Sequence, residues 1–144
     1  MIRRFGEPVK PDQTYRMRPG AYAVILRGDA ILLTHQSSPE PEFQLPGGGI
    51  DRGEHTLPAL HREVMEETGW TVQIKGRLGA FRRFTFMPEY DLWAEKLCTI
   101  YIASPGRRVG APVEQGHMAV WMPQREAVDL LGNPGDRHFL NSLL

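Results

Sequence analysis

At 144 residues the chain is long enough for one compact domain with a real core and too short for two. Seventeen basic residues offset seventeen acidic ones, so no global field draws the protein to nucleic acid or a membrane surface, and a highly charged substrate must be met by local charge. A single cysteine, Cys98, excludes an internal disulfide and a multi-cysteine metal site. It lies in an apolar run and reads as a plain buried thiol. The first residues lack the apolar stretch of a signal peptide, and no run approaches the roughly 18 apolar residues of a membrane span. A cytoplasmic protein is the expectation.

Residues 1–19 are polar and carry Pro8, Pro11 and Pro19; they read as an N-terminal arm, leaving residues 20–144 as a single domain. Residues 22–26 and 30–34 form a hairpin about the turn at Gly28, and residues 37–41 form a loop. Residues 43–45 are a short strand, stopped by Pro46 and the glycines Gly47, Gly48 and Gly49. A helix is expected over residues 57–68, with Thr56 as N-cap, Pro58 in the first turn and Gly69 just past the end. Leu57, Leu60, Val64 and Thr68 recur at helical spacing and would face the core. Strands follow over residues 72–74, 77–86 and 96–103, then a loop over 105–116 and a strand over 118–122. Helices close the chain over residues 124–131 and 136–144. Strands mixed with two or three helices in this length predict an α/β (α+β) fold, a central mixed sheet with helices packed outside.

The helix over residues 57–68 carries the chemistry. Glu63, Glu66 and Glu67 stand at i, i+3 and i+4, which puts three carboxylates on one face within a turn. Their repulsion costs the helix a few tenths of a kcal/mol per pair unless a counter-charge or solvent offsets it. A hard divalent cation is a natural offset, because magnesium takes oxygen ligands and completes its shell with phosphates and waters. The glycines just before the helix permit close backbone approach to an ion or a phosphate. A solvated acidic face and a plain glycine turn remain the readings of either feature alone; the argument for a site rests on their joint spacing.

Gly48, Glu54, Arg62, Glu63, the apolar Val64, Glu66, Glu67, Gly69 and the apolar Trp70 fall at set separations across 23 residues. This pattern matches the Nudix box at every defined position, and the chain resembles a Nudix hydrolase. The resemblance implies an α/β/α sandwich around a mixed sheet and a pyrophosphohydrolase that uses Mg2+, or Mn2+ in its place. It implies that Glu63, Glu66 and Glu67 bind metal, with the backbone carbonyl of Gly48 as a further ligand. Arg62 would hold Glu54 in an ion pair that orients the box, with Gly69 also structural. Glu63 is nominated as the general base. Some members of the family recruit a base or ligand from a later loop; Glu114 is the first candidate and His117 the second. One departure is that the position about three residues before Trp121, often acidic in similar sequences, is Met118.

The substrate's other half is less specified. Arg82, Arg83 and Phe84 lie in a stretch alternating aromatic and basic residues, read either as groups that meet phosphates and stack on a base or as a strand with one apolar face. No marker selects among ADP-ribose, dinucleoside polyphosphates and NADH. The expected partner is thus a small nucleotide-type molecule, with no nucleic acid or membrane, and a homodimer is compatible with the arm. Two other function classes stay open: a catalytically silent Nudix domain that senses a nucleotide, and an interaction module whose acidic helix meets a basic partner.

Overall fold

Strict alternation in the first long strand sets the layers. Along β2 (Arg16–Arg27), Ala21, Ala23 and Ile25 pack on one face, with Leu60 and Val64 of helix α1 (Thr56–Thr68). Tyr22, Val24 and Leu26 point to the other face, which gathers Ala127 of α2 (Gln124–Leu130), Leu140 of α3 (Pro134–Asn141) and Leu131 between them. Period-two side chains therefore feed two cores, one on each side of the sheet. The result is the α/β/α sandwich with a central mixed sheet that the sequence predicts. It comes from a computed structural model that describes residues 2–38, 40–113 and 115–144.

The remaining strands are β1 (Arg3–Gly6), β3 (Ala30–Gln36), β4 (Glu42–Gln44), β5 (Gly47–Gly49), β6 (Trp70–Met87), β7 (Leu92–Arg108) and β8 (His117–Pro123). They join in the order β1-β6-β7-β2-β3-β4, with β5 added to β2 and β8 to β3. The pairs β1–β6 and β2–β7 are parallel and the others antiparallel.

Several elements differ from the sequence reading, each for a physical reason. Residues 1–19 are not simply an arm, because Arg3–Gly6 extends the sheet edge beside β6 and β2 begins at Arg16. Pairing overrides the polar composition there. Helix α1 is capped by His55 rather than Thr56, with no side-chain cap bond, while Gly69 ends it in the left-handed conformation at φ 75°. Its buried stripe starts at Ala59 and Leu60; Leu57 is 42% exposed. The two expected strands over residues 72–86 are one, β6, whose register slips at three irregularities, two of them at Gly76 and Gly79. Strand β7 runs on through Pro105 and Gly106, expected in a loop. Its pairing with β2 stops at Ala103, so Pro105 lies where only β6 remains as a neighbour and its missing N–H costs no ladder bond on the other side. Helix α3 starts at Pro134, because Asn133 accepts a hydrogen bond from the Gly135 N–H at 2.8 Å and Pro134 suits the first helical position. Gly47–Gly49, expected as a turn, is a strand.

Phe81 is fully buried, edge-on to Phe5 at 5.7 Å and stacked on Phe139 at 6.1 Å. It ties β1 and α3 to the sheet centre. Phe81→Ala is expected to lower stability by about 3–5 kcal/mol in urea unfolding; a loss under 1 kcal/mol would show that this layer can collapse around the gap.

Candidate active site

The site is built where α1 meets the glycine strand β5. Glu67 is only 6% exposed, an unusual position for a carboxylate on an amphipathic helix, and its Oε1 accepts a hydrogen bond from the Gly47 N–H at 2.9 Å. A buried acid needs such a donor. On its other side, His117 Nε2 of β8 lies 3.6 Å from Glu67 Oε2. The Nδ1 of the same imidazole is buried with no hydrogen-bond partner among the described residues.

One turn back, Glu63 lies against Gly48. A Cβ on Gly48 would stand 2.6 Å from Glu63 Cδ and 2.7 Å from its Oε2. A Cβ on Gly47 would strike the carbonyl oxygen of Ala21, and Gly47 has φ 143°. Only a strand without side chains lets the helix acids approach the sheet this closely.

Arg62 organises the acids around itself. Its Nε donates to Glu54 Oε2 at 2.7 Å and its Nη2 to Glu54 Oε1 at 2.9 Å. The Nη1 reaches Glu63 Oε1 at 3.1 Å and Glu66 Oε1 at 3.4 Å, and Nη2 also donates to the Gly49 carbonyl at 3.3 Å. A forked guanidinium can satisfy several acids in a way an ammonium cannot. The pair with Arg62, helped by the Asp51 N–H, holds the Glu54 carboxyl at about 2 instead of 4.5. The same carboxylates push the Arg62 guanidinium upward. Glu66 is the most open of the three helix acids, its side chain 39% exposed against 16% for Glu63 and 8% for Glu67.

The chemistry of this donor set fits a hard divalent ion. Glu63, Glu66, Glu67 and the Gly48 carbonyl offer only oxygen, and the glycine backbone leaves the Glu63 carboxylate in the place a Cβ would fill. Among the described residues, no three of His, Cys, Asp and Glu close into a metal-holding group by themselves.

Glu63 also borders a cleft of about 150 Å³, whose other wall carries Arg18, Tyr22, Tyr90 and Lys96. Gly20 and Gly49 pair across β2 and β5 within that wall, so the cleft connects the α1 face of the sheet with the opposite face. A smaller pocket of about 50 Å³ shares Tyr22 and Lys96 with it and holds Gln44, Arg83, Asn133 and Asp136. Burial pushes Asp136 up to about 7, against the Leu45 N–H that donates to it and the cations Lys96 and Arg83. Burial also raises Tyr22 well above its ordinary value. Cys98 sits in the same pocket as a buried thiol pushed up to about 12, in keeping with an unreactive core cysteine.

The remaining residues singled out in the sequence divide. Arg83 lines the smaller pocket. Arg82 pairs with Glu95 at 3.6 Å, and the alternation of β6 turns it to the other face. Phe84 is buried and edge-on to Tyr15 at 4.9 Å, so its ring is spent on packing rather than offered to a base. Glu114 lies outside the described residues. Met118 is exposed, and Trp121 packs edge-on against Trp70 at 5.6 Å with Arg27 over its ring. Sequence reasoning missed Arg18, Tyr22, Lys96 and Asp136. The one available signal was a lysine two residues before Cys98 on the core-facing side of β7.

A NUDIX domain model matches residues 16–143. A putative 8-oxo-dGTP diphosphatase of Bacillus subtilis is 32% identical over 74 residues, 51% of this chain and 50% of that protein. An RNA pyrophosphohydrolase of Caulobacter vibrioides is 41% identical over 76 residues, 50% of this chain and 44% of that protein. The chain thus spans about half the length of the curated relatives it matches. Among solved structures, a NUDIX hydrolase from Nitrosomonas europaea superposes with a TM-score of 0.71 at 19% identity, covering 89% of this chain and 88% of that one. A MutT protein from Methanosarcina mazei gives 0.71 at 20% identity, covering 91% and 95%. These two likenesses speak for the fold.

The Glu54 carboxyl, lowered in the folded state, contributes stability above its ordinary value near 4.5 and loses it as pH falls toward about 2. Glu54→Gln should therefore be less stable than wild type at neutral pH, with the gap closing across that acid window. Urea midpoints measured against pH check this; a gap independent of pH would contradict the pairing with Arg62.

Proposed function

The chain belongs to the NUDIX family, and from that premise we propose that it hydrolyses a pyrophosphate linkage in a nucleoside-triphosphate or nucleoside-diphosphate-linked substrate, with Mg2+ as cofactor and Mn2+ able to replace it. The observation that carries this reading is the seating of Glu63 and Glu67 against Gly48 and Gly47, at the edge of a cleft whose far wall is cationic. The names of the relatives, 8-oxo-dGTP diphosphatase and RNA pyrophosphohydrolase, direct the substrate choice toward nucleoside triphosphates and add RNA, which the sequence reading did not expect, to the candidates to be tested.

Glu63, Glu66, Glu67 and the Gly48 carbonyl would hold the cation. Bound there, it would supply charge neutralisation of phosphate oxygens and a lowered pKa for water. The protein's own part is mostly positioning, as phosphoryl transfer demands. The Gly47 N–H fixes one Glu67 oxygen and leaves the second directed toward His117. Arg62 anchors the box by holding Glu54 with Nε and Nη2 while Nη1 steadies Glu63. Glu63, which faces the cleft, acts as general base: it takes a proton from the attacking water as the water oxygen bonds to phosphorus. The bridging P–O bond breaks, and the leaving phosphate carries off its electron pair. Arg18 and Lys96 on the opposite wall face the negative charge that accumulates on the phosphate oxygens.

Glu67→Gln keeps an oxygen to accept the Gly47 N–H while removing the charge. It should reduce Mg2+-dependent turnover of a nucleotide panel by roughly a hundredfold or more, with melting temperature little changed, and excess EDTA should abolish wild-type turnover. A panel spanning nucleoside triphosphates, oxidised ones, ADP-ribose, nucleotide sugars, dinucleoside polyphosphates and triphosphate-ended RNA identifies the substrate. Tight nucleotide binding without turnover would replace the hydrolase with a nucleotide sensor.

A further inference from the structure

Three cations stand in a row across the sheet. In the parallel pairing of β2 and β7, Arg18 is the partner of Lys96. In the antiparallel pairing of β6 and β7, Arg83 is the partner of the same Lys96. Partners across a sheet share a face, so the three side chains project to one side, the side on which Tyr22, Cys98 and Phe81 feed the core below α3. Like charges directly opposite one another destabilise a sheet. Yet no carboxylate pairs with any of the three within 4.0 Å among the described residues; the ion pairs there involve Arg62, Arg82 and His117. Arg18 is held instead by the Tyr90 ring, its guanidinium carbon 4.8 Å from the centroid.

The row also has a direction. Arg18 and Lys96 line the cleft that Glu63 borders, and Lys96 and Arg83 line the smaller pocket beyond. Lys96 joins the two cavities. Among the described residues two acids line that second pocket, the half-buried Glu42 and the buried Asp136, and burial raises the Asp136 carboxyl against the pull of Lys96 and Arg83. Three cations beside one half-buried carboxylate and a second that burial disfavours as a charge keep an excess of positive charge, largest at the cleft end with Arg18 and Lys96, which an anion from solution would offset.

We propose that Arg18, Lys96 and Arg83 together seat the phosphate chain of the substrate and select nucleotides with three or more phosphates over those with two. The inference rests on the nucleotide-hydrolase reading and narrows it. A pyrophosphate diester such as ADP-ribose carries two negative charges at neutral pH, which a divalent ion already offsets. A nucleoside triphosphate carries about four, and its excess needs cations outside the metal cluster.

The test is calorimetric titration of the full chain with inorganic tripolyphosphate and, separately, pyrophosphate, both in EDTA, for wild type, Lys96→Gln and Arg18→Gln. Lys75→Gln, an exposed amine resting on Gln73, serves as the control. The expected result is tighter binding of tripolyphosphate than pyrophosphate, and about tenfold weaker tripolyphosphate binding in Lys96→Gln. The KM for a nucleoside triphosphate should rise by a similar factor, and by more than the KM for a pyrophosphate diester. Should Lys96→Gln fail to fold by circular dichroism, Arg18→Gln, at the open end of the row, reads the same quantity. Wild-type affinity for tripolyphosphate in the folded row variants, or preference for pyrophosphate, overturns the proposal. Metal-dependent nucleotide hydrolysis with KM unchanged in those variants removes the phosphate seat and leaves the hydrolase. Lys96-dependent tripolyphosphate binding in a chain that hydrolyses no nucleotide keeps the seat and removes the hydrolase.

Discussion

The close approach of two glutamates to a strand that has no side chains is the constraint on which the site depends. Glu67 reaches the Gly47 N–H at 2.9 Å, and Glu63 occupies the space a Gly48 Cβ would take. Helix α1 can sit that low on the sheet because Leu60 and Val64 bury into Ala21, Ala23 and Ile25, small or branched residues of β2. Packing brings the helix down, the glycines let its acids through, and the acids meet a cleft that opens to the far face. Each step fails without the one before it.

That geometry concentrates negative charge, and the surrounding residues show how it is tolerated. Arg62 divides its fork among Glu54, Glu63, Glu66 and the exposed Asp51, so that one half-buried cation steadies four acids. Glu67, deepest of all, relies on a backbone donor and on His117. Repulsion that would cost an isolated helix is thereby offset by Arg62 and by the groups around Glu67. On the opposite wall the sign reverses, with Arg18 and Lys96 facing the cleft. A polyphosphate lying between the two walls would be complementary to both, through a metal on one side and directly on the other.

Much of this was legible in the sequence because it is local. The spacing of Glu63, Glu66 and Glu67, the glycines before them and Gly69 after them specify one helix, its end and its acidic face. The alternating hydrophobics of β2 and β3 specify two-sided strands. What was not legible depends on partners far away in the chain. Arg3–Gly6 is a strand only because β6 lies beside it. Pro105 and Gly106 continue a strand only because β2 has already ended its pairing there. Arg82, Arg83 and Phe84 look equivalent in sequence, and the pleat separates them into an ion pair with Glu95, a pocket wall and a packed ring. Lys96 lies beside Arg18 in one cavity and beside Asp136 in the other, on three elements with no shared motif, so no pattern of spacing could have announced it.

The most direct measurement of the central claim is Mn2+ binding followed by electron paramagnetic resonance in wild type and Gly48→Ala, with circular dichroism confirming the fold. The account predicts saturable binding to wild type and its loss or marked weakening in the variant, because a methyl group placed 2.6 Å from Glu63 Cδ must drive that carboxylate away from the glycine strand. Unchanged Mn2+ affinity in a folded Gly48→Ala protein would contradict it.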